Sequence, residues 1–315
     1  MKKYVNVKSK AKTLKFSGTH YFGITSVSPE RTGHPNVADS RGFELRRNYV
    51  QVKGYFNDKD YFRVTMDTTK ELASGTSYAN MYAKYAYLYL NEVLPYTGVE
   101  FGIAHRPWID YEEHNGWHYR SINKVALEQK TNATDNGPDL INSADLGVNF
   151  KTKTENFSSE IGIFNGEGYH ADKDAANQEN SGDLSLEWRL TAHLIGSGTK
   201  VGKADRTKDT YAHISTYGMI SKNHKDNNIT EDDDKEYDRS IYGIHAVYNQ
   251  PEFLIAAQYY GAEDKAQNTS KGDGKEYKGW SVNAEVRPVQ DWTVLARYDV
   301  SDIVKLQWVQ VQNQK

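Results

Sequence analysis

The chain contains no cysteine among its 315 residues, and this absence excludes several kinds of site. No disulfide framework, thiolate metal site or cysteine nucleophile can be built from it. Charge of one sign is not in excess either, because 39 Lys and Arg stand against 42 Asp and Glu, which leaves a net charge of −3. Nucleic-acid-binding proteins carry a clustered basic face, so nucleic acid is not expected as a partner.

Long hydrophobic runs are missing as well. The longest apolar run covers only residues 85–90, whereas a membrane-spanning helix needs about 20 apolar residues. The chain nevertheless holds 23 tyrosines, 6 tryptophans and 10 phenylalanines at a mean hydropathy of −0.80. So many aromatic side chains in so polar a chain need an amphipathic place to lie.

Apolar and polar residues alternate along most of the chain. In residues 183–194 the apolar positions are Leu184, Leu186, Trp188, Leu190, Ala192 and Leu194, and the residues between them are polar. Alternation of this kind is typical of β-strands with one apolar face. It predicts strands near residues 13–28, 43–56, 61–69, 81–94, 99–108, 145–154, 158–165, 183–195, 211–221, 239–249, 252–261, 277–287, 291–300 and 303–312.

The connections between these predicted strands alternate in length. Short connections follow the second, fourth, sixth, tenth and twelfth strands, and long polar ones follow the first, third, fifth, seventh, ninth and eleventh. Residues 196–210, after the eighth strand, break the rule by being long. Short turns at one rim and long loops at the other are typical of an up-and-down antiparallel β-barrel. We therefore expect residues 1–315 to form one all-β domain, a barrel of about 14–16 strands.

The alternation fits either a soluble sandwich with its apolar face inward or an outer-membrane barrel with its apolar face toward lipid. Charges of both signs on the polar faces suit a water-filled lumen, although a solvated sheet face also accounts for them. Aromatic residues such as Trp280, Trp292 and Tyr298 recur at the ends of apolar faces, where interfacial girdles lie in outer-membrane barrels. With the asymmetric rims, these features favour a transmembrane barrel in the bacterial outer membrane, with lipid around it.

Several stretches carry a family resemblance. FELRRNYVQVKGYFNDKDYFRVTMDTT (43–69) resembles the early hairpin of outer-membrane porins related to the phosphate-selective porin O and P group. FGIAHRPWIDYEEHNGWHYRSI (101–122), IFNGEGYH (163–170) and EWRLTAHL (187–194) resemble porins of Campylobacterota. The resemblance covers roughly residues 13–300 and implies a channel that is a homotrimer. The end at Lys315 lacks the terminal aromatic residue usual in such barrels, so the strand number stays between 14 and 16.

Residues 109–144 form the longest connection, and we expect them to fold into the barrel as a constriction. The candidate constriction residues are Asp110, Glu112, Glu113, His114, Arg120 and Lys124. The candidate pore-wall residues are Arg47, Lys53, Arg63, Asp67, Arg106, Glu187, Arg189, Glu285, Arg287 and Arg297. We expect Asp110, Glu112 and Glu113 to face basic wall residues, because opposed charges across a narrow lumen create a transverse field that sets ion preference.

The predicted function is passive diffusion of small hydrophilic solutes or ions through an outer-membrane porin, without catalysis or cofactor. Three alternatives stay open: an adhesive or structural outer-membrane barrel with a closed lumen, a secreted all-β protein that binds carbohydrate and, more remotely, an outer-membrane hydrolase. His114 and His118 are four residues apart but lie in an Asn- and Gly-rich connection, so no metal site is expected there. No G-x-S-x-G motif occurs.

Overall fold

A single antiparallel sheet makes up the fold. The computed structural model describes residues 11–27, 40–68, 81–129, 138–169, 183–198, 204–225, 236–266, 275–289 and 292–305. Within them the sheet has 13 strands in sequence order, each hydrogen-bonded to the next. Neither helical segment of the described residues is long and apolar enough to cross a membrane.

The strands have the following bounds. They are β1 (Thr13–Val27), β2 (Ser40–Tyr55), β3 (Tyr61–Thr68), β4 (Met81–Leu94), β5 (Thr97–His105), β6 (Ala144–Lys153), β7 (Phe157–Phe164), β8 (Ser185–Ile195), β9 (Tyr211–Lys225), β10 (Glu236–Gln250), β11 (Phe253–Ala266), β12 (Lys275–Val289) and β13 (Trp292–Lys305). Between β5 and β6 lie a short helix, α1 (Ile109–Asn115), and a 3₁₀ turn (Ala126–Glu128). The predicted up-and-down architecture is confirmed.

Two details differ from the predicted elements. Residues 303–305 continue β13 instead of opening a new strand, and residues 306–315 lie outside the described residues. Pro288, expected in a connection, lies next to the last residue of β12, where the pairing with β13 shifts between Val286 and Val289. A proline has no amide hydrogen to donate, so an irregular strand end is where it disturbs the sheet least.

The distribution of side chains is the reverse of that in a soluble protein. In β8, Leu186 is 45% exposed, whereas Arg189 is fully buried. The same alternation runs through β9 to β12, where Ile220, Ile244 and Ile255 point outward and polar residues point inward. An apolar outer face around a polar interior is the pattern of a barrel in lipid, and a soluble sandwich would show the opposite.

Two arginines from opposite ends of the sheet show how far it curls. Arg46 of β2 donates to the carbonyl oxygens of Ser121 and Ile122, at 3.4 and 3.2 Å. Arg297 of β13 donates to the carbonyl of Lys124 at 2.5 Å. Because these carbonyls are within three residues of each other, β2 and β13 approach one another across the interior, as the strands of a barrel must.

One glycine is required by the close pairing of β4 and β5. Gly102 has φ +128°, and a Cβ there would lie 2.3 Å from the carbonyl oxygen of Ala86. Both the backbone conformation and the lack of space favour glycine at this position.

A charged residue on the outer face tests which side of the sheet meets lipid. Ile244 lies near the middle of β10 and is 56% exposed. We expect Ile244→Arg to lower the free energy of unfolding in phospholipid vesicles by about 2–4 kcal/mol, the usual cost of arginine at the bilayer midplane. Asp58→Arg, in the exposed turn between β2 and β3, is the control and should cost far less. Equal losses in the two variants would contradict the lipid-facing assignment.

Candidate functional site

The described residues of the connection between β5 and β6, 106–129 and 138–143, lie against the inner face of the sheet. The Trp108 indole stacks on the Tyr217 ring of β9, with centroids 3.7 Å apart and planes 13° apart. Around this stack the connection contributes the buried residues Ile109, Tyr111, Trp117, Val125, Leu127, Leu140 and Ile141, and the wall contributes Met219, Ile241, Tyr260, Ala262 and Tyr277. The connection is thus anchored on the inner wall of β9 to β12 by apolar packing.

Hydrogen bonds fix the orientation of α1 on this wall. Tyr211 Oη of β9 donates to the carbonyl of Asn115 at 3.0 Å. Asn283 Nδ2 of β12 donates to the carbonyl of Gly116 at 2.9 Å. The last turn of the helix leaves carbonyls without helical partners, and these wall side chains satisfy two carbonyls at that end.

The two faces of α1 differ in what they contact. Residues three and four apart share a face of a helix. Asp110, Glu113 and His114 therefore lie together, on the face of α1 turned away from β9 to β12. Glu112 lies on the other face and is only 3% exposed, with Gln258 Nε2 of β11 donating to its Oε1. This placement corrects the expectation that Glu112 lines the lumen beside its neighbours. Its Oε2 has no hydrogen-bond partner among the described residues.

Burial changes the protonation of Glu112, which lies outside the spanning strands. Loss of hydration raises its pKa from 4.5 to about 7, and the neighbouring Arg297 and Asp299 have opposing smaller effects. The carboxyl therefore exchanges its proton near neutral pH while it is held against β11.

Asp110 is the acidic residue of α1 that faces the strands β3 to β6. Its carboxylate lies 3.7 Å from His105 Nε2 and 3.5 Å from His114 Nδ1. Burial raises the pKa of Asp110, but attraction to His105, His114, Lys151 and Arg63 outweighs this, and the net pKa is lowered. Asp110 is consequently an anion at neutral pH, opposite basic groups of the wall.

Most other charges of the connection neutralise each other. Arg120 pairs with Glu113 and with both oxygens of Glu128, where Nη2 lies 2.7 Å from Oε1. Lys124 Nζ lies 3.6 Å from the same carboxylate. Burial raises the pKa of Glu128, yet Arg120 and Lys124 lower it further, so the net pKa is lowered. Glu113, Arg120 and Lys124 therefore hold the shape of the connection.

The inner face of β2 and β3 is where wall cations stay partly exposed. Arg47, Lys53 and Arg63 are all half-buried. Each cation lies over a tyrosine ring: Arg47 is 4.4 Å from the centroid of Tyr49, Lys53 4.8 Å from Tyr61 and Arg63 4.5 Å from Tyr85. Cation–π contact holds a charge against a wall without neutralising it.

Strand pairing places three inner cations, Lys15, Lys53 and Arg63, in one row across β1, β2 and β3. Lys15 of β1 pairs with Lys53 of β2, and Lys53 pairs with Arg63 of β3. The place of Lys15 in this row cannot be predicted from the sequence, because a long connection joins β1 to β2 and leaves their register open. The pairing of Lys53 with Arg63 can be predicted from the sequence, because the short turn at residues 56–60 joins Tyr55 to Tyr61 and so places Lys53 opposite Arg63.

Other predicted wall residues lie under the connection, in buried ion pairs. Arg106 and Glu187, each 1% exposed, form a two-pronged pair in which Arg106 Nε lies 2.9 Å from both carboxylate oxygens. Arg189 is fully buried, 3.4 Å from Glu160 and 4.5 Å from the centroid of the Tyr111 ring. The expectation that Arg106, Glu187 and Arg189 line open water is corrected, because all three side chains are buried. Arg106 begins the connection itself, and Arg189 lies under its Tyr111 ring.

Lys151 belongs to the same buried network of ion pairs, and it is not among the predicted wall residues. Its Nζ lies 3.1 Å from Glu100 and 3.3 Å from Glu160. The inner wall of β5 to β8 is thus a network of alternating charges whose partners are already in place.

The remaining predicted wall residues are also engaged. Glu285, 2% exposed, accepts hydrogen bonds from Tyr119, Arg206 and Arg287. Arg297 donates to Asp299 Oδ1 at 2.9 Å.

Asp67, 9% exposed, accepts from the backbone amide of Asn48 at 3.0 Å and from the Tyr82 hydroxyl at 3.2 Å. These bonds make it a structural acceptor on the wall of β3.

No group of three or more His, Asp or Glu side chains in the described part of the chain is arranged to hold a metal ion.

The fold has counterparts among solved structures. Outer-membrane expressed OmpT of Vibrio cholerae matches with a TM-score of 0.56 and 14% identity, over 95% of this chain and 78% of that one. The chain has the fold of an outer-membrane β-barrel. Two engineered variants of the Rhodopseudomonas blastica porin match with TM-scores of 0.44 and 0.43 and identities of 9% and 11%, each over 93% of this chain and 98% of theirs. No protein-family model and no curated protein matches the chain.

An apolar outer surface around a charged interior, on this fold, is the architecture of a protein of the bacterial outer membrane. This likeness shows the fold alone, and the activity depends on the side chains of the interior.

The buried Glu112 makes the docking of α1 depend on pH. Because its pKa is higher in the docked helix than in a released one, docking is strongest below about pH 4.5 and weakens as pH rises to about 7, by about 3 kcal/mol in total. We expect hydrogen-exchange protection of residues 109–115, corrected for intrinsic rates, to fall over this range. Glu112→Gln should remove the dependence and the exposed Glu92→Gln should retain it. Equal pH dependence in Glu112→Gln and the parent chain would contradict the assignment.

The Arg106–Glu187 pair offers a second test. We expect Glu187→Gln to lower the free energy of unfolding by about 3–5 kcal/mol, because it leaves the Arg106 charge buried without its partner. Replacing both residues, with Arg106→Met and Glu187→Leu, should restore most of the loss. Guanidinium titration in detergent micelles measures both. A double variant as unstable as the single one would show that the pair does more than neutralise itself.

Proposed function

We propose that the chain is an outer-membrane porin through which small hydrophilic solutes and ions diffuse passively, without catalysis or cofactor. The observation that carries the proposal is the unequal cover of the inner wall. The connection lies on β9 to β12 and leaves the inner face of β2 and β3 partly open to water. The cations of that face, Arg47, Lys53 and Arg63, are half-buried. The passage runs between α1 and this face.

The charges along the passage favour anions. The open wall carries Lys15, Lys53 and Arg63 in register, together with Arg47, and the facing acid that remains available is Asp110. Like charges opposite one another on neighbouring strands destabilise a sheet, so the row has a cost that an anion in the passage relieves. The unbalanced positive sign attracts anions into the narrow part of the lumen.

Kinship and assembly belong to the same proposal. The resemblance of residues 43–69 and 101–122 to porins of Campylobacterota and of the phosphate-selective group supports a pore, and with it a homotrimer. Lipid around the barrel and small solutes inside it are then the partners of the chain.

Planar-bilayer recording of the detergent-purified protein tests the proposal. We expect ohmic steps that appear in groups of three, with a reversal potential under a salt gradient whose sign indicates anion preference. A folded, heat-modifiable barrel that conducts no ions would overturn the porin assignment and favour the adhesive or structural barrel.

Neutralising one wall cation tests the path of the ions. We expect Lys53→Gln to shift the reversal potential toward cations, because it removes the middle charge of the row. Lys59→Gln removes an exposed lysine from the turn beside the same two strands and should leave the reversal potential unchanged. Identical potentials in both variants would place the ion path away from β2 and β3.

A further inference from the structure

The connection after β8 is the anomaly of the short-turn rim. The other five connections at this rim have two to five residues, whereas residues 196–210 separate β8 from β9. A turn of two residues suffices to join neighbouring antiparallel strands, so the extra length is not needed for the sheet. Residues 204–210, which we term the rim segment, lie within the described part of this connection.

The rim segment lies inside the barrel. Asn249, an inward residue at the end of β10, donates from Nδ2 to the carbonyl of Arg206 at 3.1 Å and to that of Asp209 at 2.6 Å. Ala204 packs on a buried apolar cluster formed by Tyr211, Val247, Leu254 and Ala256. Both contacts hold the segment on the inner face of β9 to β11.

Arg206 links the rim segment to the connection that descends from the opposite rim. Its Nη1 lies 3.0 Å from Glu285 Oε2, and its guanidinium lies 4.8 Å from the centroid of the Tyr119 ring. The Tyr119 hydroxyl donates to the same carboxylate oxygen. Two segments that enter from opposite ends thus meet at one buried carboxylate.

Little space is left between the two segments. The cavity between them has a volume of about 130 Å³ and is lined by Asn115, Gly196, Ser197, Ala204, Asp209, Thr210, Tyr211 and His213. It has room for only a few water molecules. The two segments therefore leave little space under α1 on the side of β9 to β12.

We propose that the rim segment is a second constriction element, which borders the passage where solutes cross the short-turn rim. Asp205 and Lys208, paired at 2.9 Å with side chains 45% and 78% exposed, are the charges it presents to a passing solute. Arg206 is a positioning residue, since it ties the segment to Glu285 and Tyr119. This inference rests on the proposed porin function.

The absence of cysteine from the chain allows a direct test by thiol chemistry. Lys208→Cys is modified in the bilayer with a cationic or an anionic methanethiosulfonate reagent. Lys59→Cys is the matched control, since Lys59 is also exposed at this rim and paired with a carboxylate, Glu92, at 3.1 Å. We expect the two reagents to shift the ion preference of Lys208→Cys in opposite directions and to leave Lys59→Cys unchanged. Complete modification of Lys208→Cys, confirmed by mass, without any change in current would overturn the proposal.

A second measurement does not depend on conduction. The double variant Arg206→Cys with Tyr119→Cys is treated in the folded, detergent-solubilised barrel with a short bifunctional thiol reagent. We expect a cross-link there and none between Arg206→Cys and Lys59→Cys. Failure to cross-link the first pair would overturn the placement of the rim segment. A cross-link in a barrel whose parent chain does not conduct would support the placement while rejecting the porin function.

Discussion

The constraint on which the structure depends is the burial of many charged and polar side chains on the inner face of the sheet. Outward positions are given to lipid, so the interior is filled with charged and polar side chains, which are costly to bury without partners. The pair of Arg106 with Glu187 and the network around Lys151 meet that requirement within the wall itself. The connection after β5 then covers these pairs and separates them from water, which strengthens them.

The apolar residues that a soluble protein would place in its core are concentrated in this connection and on the part of the wall that it meets. The stack of Trp108 on Tyr217 is the centre of that packing. The cations on the inner face of β2 and β3 lie outside this packing and are half-buried.

The strands could be predicted from the sequence because alternation and connection length are local signals. These two signals locate all 13 strands of the described residues. The sequence predicts a loop over residues 109–115 and so does not predict the face on which Glu112 lies. The helix found there separates Glu112 from Asp110 and Glu113. The buried role of Arg189 depends on Tyr111 lying above it, a contact between distant parts of the chain. Contacts of that kind need the path of the long connections, which no local pattern contains.

The carbonyls of Ser121, Ile122 and Lys124 accept hydrogen bonds from Arg46 of β2 and Arg297 of β13, near the two ends of the sheet. Together with the anchor at Tyr217, these contacts make the connection a strut across the section of the barrel. A ring of strands has no diagonal member of its own to resist flattening by the surrounding bilayer. The strut supplies one, so the same few contacts hold β9 at a fixed distance from β2 and β13.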